Sequence, residues 1–267
     1  MATGAAAARD HADYVDPSML PVAATVLALA GVRDGEVVVD VSCGTGLLTH
    51  PAAAAAGPSG RVYGVDADQH ALDVARGRRP SPVTWTRASC AALPFADGSV
   101  DKVVCGVVLH RLPDVRPVLA EWARVLTPAG RATVAAWGAF HASAAEDAVL
   151  RAVADHGIDP SSCERRVALL RDGAPHDGGA LPALLDDAGL RVTHAAENEV
   201  TVPFVGAAAF ARWRLSLPRA AAALAAAGSA ADVDALRSSV VERAAALHGA
   251  GPVLVHAGIH YATASRR

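Results

Sequence analysis

Two short stretches carry residue types able to do chemistry together. Asp40-Val41-Ser42-Cys43-Gly44-Thr45-Gly46 sets an acid and two glycines between the apolar run Val37 to Val41 and an alanine-rich segment that Gly57-Pro58 stops. A glycine-rich turn from strand to helix lets main chain approach a ligand closely and aims helix N–H groups at it. Arg61-Val62-Tyr63-Gly64-Val65-Asp66 reads as the next strand and ends in an acid. Asp66 lies about twenty residues past the turn, the spacing at which a carboxylate accepts both hydroxyls of a ribose. No G-x-G-x-x-G and no lysine accompany the turn, which argues against a bound triphosphate. Asp40 would repel a pyrophosphate and suits a ligand carrying an ammonium or sulfonium. The pair therefore implies a cationic nucleoside rather than a dinucleotide.

The elements that position these residues follow from pattern and breakers. Residues 1 to 10 are small and polar and read as disordered, and Pro21 to Ala30 as an amphipathic helix ended by Gly31. The β-branched run Val37 to Val41 has the look of a strand buried on both faces, as in a parallel sheet. Asp68 can cap a helix to about Arg78, and Val83 to Thr86 is a short third strand. Asp101 to Leu109 reads as a central fourth strand, with His110 at its carboxyl end, where open α/β sheets hold ligands. A helix over Val115 to Leu126 and a strand from Arg131 to Trp137 follow, with Trp137-Gly138-Ala139-Phe140-His141 at the same edge.

The motifs arrive in a familiar order. D-V-S-C-G-T-G, then G-V-D, then Leu93-Pro94-Phe95-Ala96-Asp97-Gly98-Ser99-Val100-Asp101 resembles the class I S-adenosylmethionine-dependent methyltransferases, in particular the methyltransferase type 11 group. Leu109-His110-Arg111-Leu112-Pro113-Asp114 and Ala123-Arg124-Val125-Leu126-Thr127-Pro128-Ala129-Gly130-Arg131 extend the match, over about residues 37 to 137. The resemblance implies a Rossmann-like, doubly wound α/β fold. Its seven-stranded, mostly parallel sheet ends in an antiparallel C-terminal strand and carries a helical lid. S-adenosylmethionine is the implied cofactor and S-adenosylhomocysteine its product. Asp40, Ser42, Cys43, Gly44, Gly46, Asp66, Ala67 and Val107 are the implied cofactor contacts. Tyr14 joins them, since such an N-terminal tyrosine often folds over the cofactor or substrate in the family. Ser89 stands where the family commonly has an Asp on the adenine amino group, and the Cys90 backbone could also serve the ring. Ser42 stands where the family usually has glycine, and a negative φ would let it tolerate the turn.

The rest of the chain departs from that pattern. Ser143 to His156 is helical, Leu181 to Ala188 and Leu190 to Phe204 form a helix and a strand, and Val253 to Thr263 closes the sheet. Residues 37–157, 176–204 and 250–267 are expected to build the cofactor-binding core. Residues 1–36 form an N-terminal lid segment, and 158–175 and 205–249 cap the substrate. His110 and His141 are the candidate bases, with His176 more distant. Trp137, Phe140, Phe210, Trp213 and Arg214 are candidate substrate contacts.

Composition limits the alternatives. With 52% hydrophobic residues, the chain can bury a sizeable core, and a net charge of −3 leaves no electrostatic footprint for nucleic acid. No apolar run reaches the ~20 residues that span a bilayer. Cys43, Cys90, Cys105 and Cys163 form no C-x-x-C pair, and His256 and His260 share one strand face without a third ligand, so no metal is assigned. A cytoplasmic monomer or homodimer is expected, acting on a small molecule such as a specialised metabolite. Methyl transfer to O, N or C is the main reading. A non-methyl reaction such as a cyclisation, and a non-catalytic cofactor-binding protein, stay open beside it.

Overall fold

The computed structural model describes residues 4–78, 82–112, 114–140, 143–160, 180–216, 224 and 230–267. Seven strands, β1 (Val37–Val41), β2 (Arg61–Asp66), β3 (Val83–Arg87), β4 (Val100–Cys105), β5 (Leu126–Phe140), β6 (Leu190–Phe204) and β7 (Val253–Arg266), form one sheet. Their order is β3-β2-β1-β4-β5-β7-β6. The first five strands run parallel, and β7 is antiparallel to both of its neighbours. The chain steps outward from β1 through β2 to β3, then returns to β4 on the other side of β1. That reversal opens a crevice beyond the carboxyl ends of β1 and β4, the place where open α/β sheets bind ligands.

Nine α-helices among the described residues surround the sheet: α1 (Gly4–Asp10), α2 (Asp16–Ala30), α3 (Thr49–Ala56), α4 (Gln69–Arg78), α5 (Arg116–Val125), α6 (Ala144–Asp155), α7 (Ala180–Asp187), α8 (Gly206–Ser216) and α9 (Ala230–His248), with a π-helical turn, His11–Val15, joining α1 to α2. Side chains alternate across each strand, so β1 sends Val38 to one core with α2, α3, α6, α8 and α9, and Val39 and Val41 to the other with α5 and α7. Local signals set the helix ends. Gly31 closes α2 at φ 55°, its N–H reaching the Leu27 carbonyl, and the Ser143 hydroxyl accepts the Glu146 N–H to start α6. No described helix links β3 to β4. Instead, Arg124 of α5 donates to the Leu93 and Phe95 carbonyls at 3.1 and 2.8 Å and to Asp97 at 2.7 Å, pinning that connection across the sheet edge. No described helix is long and apolar enough to cross a membrane.

Several expectations need correction. Residues 4–10 are helical, because alanine favours helix and α1 docks on α4, with Ala8 buried and Gly4 so close to His70 that a Cβ there would meet the ring at 2.4 Å. The fourth strand ends at Cys105, and Leu109–Arg111 is a 3-10 turn, so His110 rides on a turn past the strand. The fifth strand runs on through Trp137 to Phe140, paired with β7. Phe210, Trp213 and Arg214 of α8 do not face an opening but belong to the core. Phe204, Phe210, Trp213 and Trp137 stack with ring centroids 4.7 to 6.2 Å apart. Arg214, 1% exposed, grips Glu146 through Nε at 2.9 and 3.0 Å and Nη2 at 2.5 Å. His141, His176, Cys163 and residues 161–175 lie outside the described residues, as do the side chains of Tyr14, His110 and Phe140.

Ser42 adopts φ 56°, not the negative value that would suit it. A left-handed L-residue costs about 1–2 kcal/mol, of which the greater chain entropy of glycine recovers part. Ser42→Gly should therefore raise stability by about 0.5–1 kcal/mol in urea titration, and a loss instead would mean that the hydroxyl holds the turn. Arg214→Met should cost about 1–3 kcal/mol by removing the charge-assisted bonds that the half-buried Glu146 accepts from Arg214. Pairing it with Glu146→Gln should restore most of that loss in the same assay.

Candidate functional site

The glycine turn is built from main-chain bonds before any ligand is considered. The Cys43 N–H reaches the Val65 carbonyl at 3.0 Å, tying the turn to β2, and Gly46 N–H closes on the Cys43 carbonyl at 3.0 Å. Gly44 and Gly46 sit at φ 54° and 86°. They are needed for different reasons. A Cβ on Gly46 would meet Trp85 at 2.8 Å and His50 at 3.1 Å, whereas one on Gly44 would meet nothing within 4 Å. Gly46 thus answers to packing beneath the turn, and Gly44 borders open space.

Asp66, at the end of β2, faces this turn. Its Oδ2 accepts the Gly44 N–H at 2.8 Å and its Oδ1 the Asp68 N–H at 2.9 Å, fixing the carboxylate plane. Each oxygen keeps a lone pair for a further donor, the arrangement a vicinal diol requires. Ala67 is exposed beside it. Ser89 is exposed at the end of β3, its hydroxyl accepting the Ala91 N–H at 3.2 Å, with Cys90 half-buried next to it. Val107 is half-buried in the turn after β4, where Gly106 accepts the Val108 N–H at 2.9 Å.

Asp40 lies under the turn and is 1% exposed. Its Oδ2 accepts the Thr49 hydroxyl at 2.5 Å, while its Oδ1 has no partner among the described residues. Burial pushes its carboxyl up to about 7, against the Thr49 bond that favours the ionised form, and the charge of Asp66 adds to the rise. Burial likewise pushes the Cys43 and Cys105 thiols well above their ordinary range, which leaves both protonated and inert as nucleophiles.

A second acid, which sequence reasoning passed over, closes the other side. Asp16, 3% exposed at the start of α2, accepts the Thr45 hydroxyl at 2.5 Å. Arg78 of α4 also binds it and reaches the Thr45 carbonyl at 3.4 Å, and His11 Nε2 lies 3.5 Å from its other oxygen. The N-terminal segment is thereby fastened to the glycine turn itself. Arg212 of α8 pairs with Asp10 and extends the attachment to the inserted helices. Partners 29 and 62 residues apart in sequence leave no local pattern by which this cluster could be found. Of the expected residues, the structure brings Asp40, Ser42, Cys43, Gly44, Gly46 and Asp66 together around one turn, with Ala67, Ser89, Cys90 and Val107 along the same sheet edge. Trp137 is 3% exposed and packs on Trp213, on the face of α8.

Known proteins are similar to this chain in sequence and in fold. A methyltransferase domain model matches residues 39–134. The demethylmenaquinone methyltransferase of Staphylococcus aureus is 39% identical over 102 residues, which cover 38% of this chain and 42% of that protein. The match thus spans less than half the length of the curated relative. A methyltransferase-like chain solved with the Trm112 methyltransferase activator of Haloferax volcanii superposes with a TM-score of 0.56 at 19% identity, over 98% of this chain and 97% of that one. The (4+2)-cyclase SpnF superposes with a TM-score of 0.56 at 18% identity, over 92% and 81% of the two chains. Identities this low speak for the fold alone. Sheet order and matched segment agree: residues 39–134 match a methyltransferase domain, and the sheet around them has the fold of the class I S-adenosylmethionine-dependent methyltransferases.

Proposed function

We propose that this chain transfers the methyl group of S-adenosylmethionine to a nucleophilic O, N or C atom of a small molecule. The single observation that carries this reading is the pairing of Asp66 with the glycine turn through the Gly44 N–H at 2.8 Å. Asp66 holds the ribose hydroxyls, and Gly44 leaves the room a ligand needs beside the main chain. The unpartnered Oδ1 of the buried Asp40 suits the cationic end of the cofactor. When bound, S-adenosylmethionine supplies an activated methyl group on a positively charged sulfur, so the protein's part is chiefly positioning.

The chain's own residues supply that positioning. Asp16 and Arg78 hold the Thr45 side of the turn, and the Asp68 N–H fixes the Asp66 carboxylate. The inserted helices α8 and α9 lie between β6 and β7 and pack on the sheet and on α6, a scaffold beside which a small, partly apolar acceptor would bind. Likeness to a demethylmenaquinone methyltransferase makes reduced demethylmenaquinone a reasonable first acceptor to assay. A phenol, an amine and a carbon acid from specialised metabolism complete a minimal panel.

Calorimetric titration with S-adenosylmethionine and S-adenosylhomocysteine tests the cofactor reading, and mass analysis of the panel tests the transfer. Binding of both ligands with no methylated product from a broad panel would favour the non-methyl alternative, and binding of neither would sink the proposal. Asp66→Ala should weaken S-adenosylhomocysteine binding by about 2–3 kcal/mol, the worth of charge-assisted bonds, and unchanged affinity would remove Asp66 from the ribose site. A cation near Asp40 favours its charged form. Its proton should therefore leave on binding below pH about 7, and affinity should rise with pH up to that value and level off above it. Calorimetry at pH 6 and 8 in buffers of different ionisation enthalpy would detect this proton, and Asp40→Asn should abolish its release.

A further inference from the structure

A histidine and a glutamate outside the glycine turn meet over a glycine. His260 of β7 is 5% exposed and faces Ala136 of β5 on one side and Glu197 of β6 on the other, three strands in a row. Its Nδ1 lies 3.7 Å from a Glu197 carboxylate oxygen. The ring lies over Gly138, where a Cβ would come within 2.8 Å of Nε2 and 3.0 Å of Glu197 Oε1. Any larger residue at 138 would displace both groups, so the pair depends on this glycine.

Register places the pair at the ligand edge. Cys105, the last residue of β4, is level with Val134, and Ala136, the partner of His260, stands two residues further on. At about 3.3 Å per residue, His260 rises roughly 7 Å past the end of β4, level with the turn holding Gly106 and Val107. Alternation along β7 puts it on the face of Ala262 and Ala264, which pack in the same core as Leu109 of the 3-10 turn. An imidazole with one nitrogen facing a carboxylate, at the carboxyl edge of the parallel strands where open α/β sheets bind ligands, has the form of an oriented base.

We propose that His260 accepts the proton given up by the methyl acceptor, with Glu197 as the residue that positions it; this rests on the methyl-transfer reading above. The acceptor's lone pair forms the new bond to the methyl carbon, and the carbon–sulfur electron pair stays on sulfur, leaving a neutral thioether. The acceptor's O–H or N–H proton passes to Nε2, and the Glu197 carboxylate stabilises the resulting imidazolium. Neither residue stands in the sequence motifs, because they come from different strands and meet only through β7.

The charge on sulfur offers a test that needs no acceptor. Calorimetry first establishes that both ligands bind; failure of both would overturn the cofactor reading and this proposal with it. Isotope-edited NMR then follows the histidine rings against pH in the two complexes. A nearby sulfonium should lower the His260 titration midpoint with S-adenosylmethionine relative to S-adenosylhomocysteine by on the order of half to one pH unit. His256, exposed and bonded to Thr201 at 3.0 Å, lies about 13 Å away along β7 and should not move. With both ligands bound, an equal His260 midpoint in the two complexes would overturn the proposal and leave the cofactor reading standing. Gly138→Ala should abolish the difference while both ligands still bind, and a difference that persists would also overturn it. Glu197→Gln should lower kcat on any acceptor the panel finds with the KM for S-adenosylmethionine unchanged, and an unchanged kcat would remove Glu197 from the pair. On an acceptor found by the panel, His260→Gln should reduce kcat about 100-fold with the KM for S-adenosylmethionine unchanged.

Discussion

The Gly44 N–H to Asp66 hydrogen bond is the constraint on which the site depends. It joins the turn after β1 to the end of β2 and sets the height of the turn above the sheet. The Cys43 bond to Val65 and the parallel pairing of Val41 with Val65 deliver the two strand ends to the same level, so the bond needs no distortion. With the carboxylate plane fixed by two N–H donors, a ligand meets an acceptor that has already given up its rotational freedom. Thr45, next in the chain to the Gly44 that binds Asp66, carries the same order outward to Asp16 and the N-terminal helices.

Burial determines how the neighbouring acid behaves. Asp40 and Asp66 are close enough to feel one another, but Asp40 is sealed from water, and burial drives its carboxyl towards neutrality. One acid therefore serves as a standing hydrogen-bond acceptor, while the other holds a proton that a cation can displace. The strained φ of Ser42 lies between them, at a place where backbone geometry is set by the ligand edge rather than by the residue.

Legibility in the sequence followed the range of the interaction. The valines of β1, the glycines of the turn, and the spacing from Gly46 to Asp66 are local, so strand, turn and facing acid were readable from composition and order. The antiparallel β7 and the overall order of elements came through the family resemblance. The contacts of Asp16 with Thr45 and Arg78 span long loops and leave no periodic mark. Aromatic residues on α8 carried the same spacing whether they faced a pocket or a core, and only packing against Phe204 and Trp137 resolved the choice. The sign of φ at Ser42 is likewise a property of the surrounding bonds, invisible in a residue type that tolerates either region poorly or well according to context.

The hairpin of β6 and β7 has an architectural consequence. Phe204 and Val253 are paired neighbours, so the helices α8 and α9 leave and rejoin the sheet at a single point. A segment whose two ends nearly touch can be lengthened, shortened or exchanged without disturbing strand register, because loop closure changes only slowly with length. The insertion is in this sense a cassette. An exchanged segment would have to supply again the packing of Trp213 on Phe204 and Trp137, the Arg214–Glu146 pair and the Arg212–Asp10 link to the N-terminal helices.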